Sequence, residues 1–309
     1  MSIRPSLDRH SRRQLFPLLL LGPLMAISPM AIAQEETDIP SLGENAKGDL
    51  RIAHAIWARY DGGPPLAAPI TFDAGEQVFF RGRVAGMRLT EVEFKRYRIF
   101  LRYEIRAYDF RGNPLGEPTK DVINESIHVE DKDWMPTIRH NVNIPPLAEN
   151  GDYELRITVS DEASQRSGQF TQRFHVDGKQ LPALDKISVI NFGFYRAENE
   201  KSPMPQGVYR PGNALWARFD LAGFQVGDGN HLDVSCDIQV RDATGKILME
   251  QPDALQEDLS PSYPQRYVPG VFSLVVQPGT RAGNYSIVVI AKDRLKNTTE
   301  EYSFPFSVD

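Results

Sequence analysis

The chain has a single cysteine, Cys236, in 309 residues. An intramolecular disulfide is therefore excluded, and the fold must be held by apolar burial even in an oxidising compartment. Beyond its N-terminal segment the sequence has no sustained apolar stripe at i, i+3, i+4, i+7, so helix is expected to be nearly absent. The formal charge is −6 and no basic stripe stands out, which removes the positive footprint that a nucleic-acid partner needs. No HExxH, no GxSxG and no glycine-rich loop between strand and helix occurs. Zinc peptidase, serine hydrolase and nucleotide-binding chemistry thus have no recognised motif in the sequence. The expected protein is not an enzyme.

What is present begins with MSIRPSLDRHSRRQLFPLLLLGPLMAISPMAIAQ. Arg4, Arg9, Arg12 and Arg13 precede an apolar run from Leu15 to about Ile27, and Ala31-Ile32-Ala33 supplies small residues ahead of Gln34. That order predicts a secretory signal peptide over residues 1–33. The apolar run is broken by Pro17 and Gly22-Pro23 and is short for a hydrocarbon layer of ~30 Å. No transmembrane segment is expected in the mature chain. Ser11-Arg12-Arg13 is similar to a twin-arginine address, and both export routes stay open. Cleavage would remove four arginines and Asp8, moving the formal charge from −6 to −9. The expected location is periplasmic or extracellular.

Four blocks then occur twice in the same order. FDAGEQVFFRGRVAG (72–86) matches YRPGNALWARFDLAG (209–223), and IRAYDFRGNPL (105–115) matches IQVRDATGKIL (238–248). NGDYELRITVSD (150–161) matches AGNYSIVVIAKD (282–293), and FTQRFHV (170–176) matches YSFPFSV (302–308). Each block alternates: Leu215, Ala217, Phe219 and Leu221 share one phase, Trp216, Arg218 and Asp220 the other. Period two is the mark of a strand with one buried face. Asp109-Phe-Arg-Gly112 and Asp242-Ala-Thr-Gly245 separate strand-like runs, with glycine available for a left-handed turn position. The pattern predicts a duplicated all-β unit of two antiparallel sheets packed face to face.

Gly151-Asp152-Tyr153-Glu154-Leu155 and Gly283-Asn284-Tyr285-Ser286-Ile287 resemble the penultimate strand of immunoglobulin-like modules. In such modules a tyrosine anchors the preceding corner and the residue two positions on faces the opposite sheet. Leu155 and Ile287 stand where antibody domains carry cysteine, so the disulfide-bearing type is excluded. The YRPG stretch at 209–212 is similar to the opening of macroglobulin-like bacterial modules. The resemblance implies two tandem immunoglobulin-like β-sandwiches after the signal peptide. The expected boundaries are a flexible leader over 34–50, a first sandwich over 51–177, a linker over 178–185 and a second sandwich over 186–309.

Candidate contact residues are aromatic. With Leu215, Ala217 and Phe219 inward, Trp216 faces out, and Phe79 does so at the matching position. Trp134, in the connection EDKDWMPTIRH (130–140), is the third. Each ring would serve either as a local cover or as an anchor for a partner. Cys236 alternates inward and is expected to be core. His54, His128, His140, His175 and His231 show no ligand spacing, and no cofactor or metal site is expected. Calcium is the one ion the acidic loops at 130–133 and 228–230 would suit. The expected function is a non-enzymatic exported interaction or structural protein that presents loops and outward aromatics to a protein partner in the cell envelope. A carbohydrate-binding protein with a polysaccharide partner is the alternative; a periplasmic assembly chaperone and a calcium-stabilised adhesive module rank behind it.

Overall fold

The computed structural model describes residues 48–131 and 134–309. The predicted signal peptide, most of the leader, Lys132 and Asp133 lie outside the described residues. In the first half nine strands follow one another: β1 (Arg51–Ala58), β2 (Thr71–Asp73), β3 (Gln77–Ala85), β4 (Thr90–Glu93), β5 (Arg96–Tyr108), β6 (Thr119–His128), β7 (Thr137–Asn143), β8 (Gly151–Asp161) and β9 (Arg166–Asp177). The second half adds β10 (Ser188–Tyr195), β11 (Val208–Tyr209), β12 (Ala214–Ala222), β13 (Leu232–Asp242), β14 (Ile247–Leu259), β15 (Tyr267–Val275), β16 (Gly283–Asp293) and β17 (Thr298–Val308). Helix among the described residues is limited to a 3-10 turn at Asp228–Asn230.

The sheets repeat as the sequence blocks do. A three-stranded sheet β1-β3-β7 faces a larger one ordered β2-β9-β8-β5, on which β4 and β6 both pair with β5. The second half has β10-β12-β15 and β11-β17-β16-β13-β14. These are two tandem immunoglobulin-like sandwiches, and β4 is the strand of the first that has no counterpart in the second. Two short pairs, β2 with β9 and β11 with β17, are parallel within the otherwise antiparallel sheets. In each half the chain leaves the small sheet after its first strand, crosses a proline-bearing connection, and joins the edge of the large sheet, which brings it in alongside the last strand.

Alternation puts one phase of each strand inside. Leu155, Ile157 and Val159 on β8 and Ile287 and Val289 on β16 are fully buried. One apolar cluster draws its buried members from residues 50–176 and a second from residues 187–308. The first contains a knot of rings in which Trp57 lies 5.6 Å from Phe72, 5.3 Å from Phe80 and 5.0 Å from Phe174.

Polar contacts are duplicated as closely as the cores. Tyr153 donates its hydroxyl to the carbonyl of Glu149 at 3.0 Å, and Tyr285 donates to that of Arg281 at 2.7 Å, each four residues upstream. This is the tyrosine corner that the resemblance implied. Asp109 Oδ1 accepts the backbone N–H groups of Arg111 and Asn113, and Asp242 Oδ1 accepts those of Thr244 and Lys246. Asp161 and Asp293, both 1% exposed, accept the N–H groups of Arg88 and Gln225 at 2.6 and 2.8 Å. Buried carboxylates of this kind fasten connections whose N–H groups would otherwise lack partners.

The halves are joined by more than the chain. Tyr263, on the connection between β14 and β15, donates to Asp109 Oδ2 at 3.0 Å and lies 3.4 Å from the Tyr153 hydroxyl. Burial raises the Tyr263 hydroxyl well above its ordinary pKa, with the neighbouring Tyr153 and Asp109 adding to the shift. Arg111 closes the same corner with two bonds to Glu149, which is 5% exposed. A second fastening lies at the linker. Lys179 pairs with Asp220 and stands 4.5 Å over the Tyr267 ring, while Asn191 Nδ2 donates to the other oxygen of Asp220 at 2.9 Å. Asp220 belongs to the outward phase of β12, yet it is 2% exposed because the linker covers it.

Candidate functional site

The outward phase of the small sheets carries two of the three aromatic candidates, at matching positions and in different company. Phe79 pairs across the sheet with Ala58 and Asn141, and Trp216 with Tyr195 and Ser273. Both rings are half-buried, whereas their neighbours Val78, Phe80, Leu215 and Ala217 are fully buried. Strand geometry explains this directly, since successive side chains point to opposite faces.

Around Trp216 the face is mostly apolar, with the exposed Ser273 directly opposite the ring. Val271 and Val275 on β15 are 56% and 55% exposed and share its face. The one cation there, Arg218, lies opposite Val271, stacks 3.5 Å over the Tyr195 ring and donates to the carbonyl of Glu200. The connection from Arg196 to Gly207 thus folds over Arg218 and ties it down.

Around Phe79 the face is cationic and open. Arg81 on β3 lies opposite Arg139 on β7, at the positions that Arg218 and Val271 occupy in the second half. Neither guanidinium makes a hydrogen bond or ion pair among the described residues. Between them and the Tyr60–Gly63 turn is a cleft of about 180 Å³ whose walls include Ile56, Phe79 and Tyr60. The Tyr60 ring is 62% exposed. His140 pairs with the inward Phe80, so its backbone borders the cleft while its imidazole lies on the core side of the sheet, where burial lowers its pKa.

Trp134 is placed differently. Its side chain is half-buried and packs against the apolar cluster of the first half, and its backbone N–H donates to the Asp131 carbonyl at 2.9 Å. The ring acts as a cover for its own sheet. His175 points outward as its alternation implies, with Nδ1 2.8 Å from Asp152 Oδ1. Among the described residues no group of three or more His, Cys, Asp or Glu side chains is arranged to hold a metal ion. Cys236 is fully buried, and burial with the adjacent Asp237 pushes its thiol up to about 12. In the native protein at pH 8 it should therefore resist a thiol reagent for hours and react at once in denaturant. Rapid native labelling would contradict its core position.

Pattern reading missed Arg81, Arg139 and Tyr263. Arg81 and Arg139 are opposed only through the register of β3 with β7, and Tyr263 finds its partners 154 and 110 residues away. The one signal available was divergence: the middle segments of the two repeats share no side-chain pattern, and Tyr263 sits in the second of them.

No family model matches the chain, and no curated protein does. Among solved structures it is similar to the C-terminal domain of the Streptococcus agalactiae antigen I/II polypeptide BspA, at 7% identity and a TM-score of 0.27, over 82% of this chain and 99% of that one. It is also similar to the C-terminal domain of the Streptococcus pyogenes antigen I/II-family protein AspA, at 8% identity and a TM-score of 0.28, over 84% and 98%. Superposition at that level says nothing about activity here. Among the described residues no helix is long and apolar enough to cross a membrane, which leaves strand-built spans unaddressed.

Proposed function

We propose that this chain is an exported, non-enzymatic interaction protein whose two immunoglobulin-like domains, divided over residues 178–185, hold the Trp216 face toward a protein partner in the cell envelope or outside it. The observation that carries the reading is the company of Trp216: two exposed valines, Val271 and Val275, and a cation already bound to its own chain. An aromatic ring with exposed aliphatics at its diagonal positions is the composition of a contact core between proteins, where few residues supply most of the affinity. A sugar would require several polar partners around the ring, and that face offers a single hydroxyl, Ser273, between two valines. Export rests on the N-terminal sequence pattern and is checked by fractionating cells that express the full chain.

The test uses the full mature chain with a photoreactive residue in place of Val271, so that a contacting protein is captured covalently and then purified. Trp216→Ala with Val275→Ser should weaken binding of that protein at least ~30-fold, since anchor residues contribute ~2 kcal/mol or more. Neither residue is core, so the melting temperature should hold. Unchanged affinity in the folded double variant would remove the reading, as would capture of glycan alone.

A further inference from the structure

A second site lies on the first half and stands independently of the Trp216 face. Arg81 and Arg139 are directly opposed across β3 and β7, an arrangement in which like charges repel. Neither has a carboxylate partner among the described residues, although the same sheets tie other arginines to acids, as Arg59 to Glu76. The fold does not require the pair. At the matching place in the second half Arg218 faces Val271, and Arg218 is bound to Glu200 and Tyr195. The first half thus keeps an extra, uncompensated guanidinium beside an open cleft.

We propose that this cleft binds the carboxylate-bearing sugar rings of an acidic polysaccharide, a polyuronate. Two adjacent guanidinium groups suit a carboxylate, which they can hold by paired N–H donors. The cleft of about 180 Å³ is below the ~300 Å³ at which drug-sized pockets begin, so it takes one ring-sized group. The exposed Tyr60 ring and the half-buried Phe79 ring give flat walls for a sugar face. Asn141, on the same face as the two arginines, and the rim carboxylate Asp61 supply donors and acceptors for hydroxyl groups. An acidic peptide side chain would bring the carboxylate on a narrow methylene stem and leave those walls unfilled. Two arginines against one carboxylate leave the cleft positive on a chain that is negative as a whole.

The experiment titrates the mature protein with oligogalacturonate, with a neutral glucose oligomer of equal length, and with polyglutamate. Oligogalacturonate should bind at least tenfold more tightly than either, and its affinity should fall between 50 and 200 mM salt. Arg139→Val, the residue that the second half carries at Val271, should reduce uronate binding at least tenfold while the melting temperature stays level or rises. Tyr60→Ala should weaken binding without changing the salt dependence. Absence of uronate binding at millimolar concentration overturns the proposal. So does equal binding of the neutral oligomer, equal binding of polyglutamate, or full uronate affinity in folded Arg139→Val.

Discussion

Tyr263→Ala is expected to turn a single cooperative melting transition into two. The side chain is 9% exposed and belongs to the second half, but its hydroxyl is held by Asp109 and lies against Tyr153, both of the first. Removing a buried ring of this size costs about 3–5 kcal/mol. Both hydroxyl contacts of Tyr263 cross between the two halves, so with them gone each core would then melt near its own midpoint. Tyr263→Phe keeps the ring and loses only one hydrogen bond, costing about 1 kcal/mol. Asp109 Oδ2 retains the Asn113 side chain at 2.8 Å, which limits the penalty for that carboxylate. Differential scanning calorimetry distinguishes the two variants. A single transition at the wild-type midpoint in Tyr263→Ala would show that Lys179, Asp220 and Tyr267 couple the halves without help.

This seam is where the sequence was least legible, and the reason is physical. Periodicity reports which side of a strand faces its own core, so Leu155, Ile287 and Cys236 were readable as buried from local pattern alone. Turn chemistry reports backbone conformation, so Gly112 and Gly245 were readable as left-handed, and they have φ of 86° and 85°. Neither signal says what covers the outward face. Asp220 reads as a solvent-facing polar residue and is instead buried under Lys179, with Asn191 satisfying its second oxygen. The opposition of Arg81 to Arg139 likewise needs the register of two strands more than fifty residues apart. Outward placement of Phe79 and Trp216 was legible; the difference between a cationic cleft and an apolar face around them was not, because their neighbours come from β7 and β15.

The two glycines that close the longest repeated block, Gly86 and Gly223, give the other large effect. Their φ values are 79° and 76°, a region in which a side chain costs roughly 1–2 kcal/mol. A Cβ on Gly86 would lie 2.1 Å from the Asp49 carbonyl oxygen, and one on Gly223 would lie 2.3 Å from that of Lys186. In both cases the obstacle is backbone where the chain enters the sandwich, just before the first strand, so relief requires moving that strand. Gly86→Ala and Gly223→Ala should each cost about 4 kcal/mol, at the upper end for single substitutions. Gly212 supplies the control, for its φ of 88° is as positive yet nothing lies within 4 Å of its would-be Cβ. Gly212→Ala should therefore cost only the conformational part, about 1 kcal/mol. Urea denaturation of the three variants separates strain of conformation from collision with backbone. Trp57, buried in the first core, reports Gly86→Ala by fluorescence, and Trp216 reports Gly223→Ala. Equal losses in all three variants would mean that left-handed backbone alone sets the cost, and that the close approach of Asp49 and Lys186 yields without resistance.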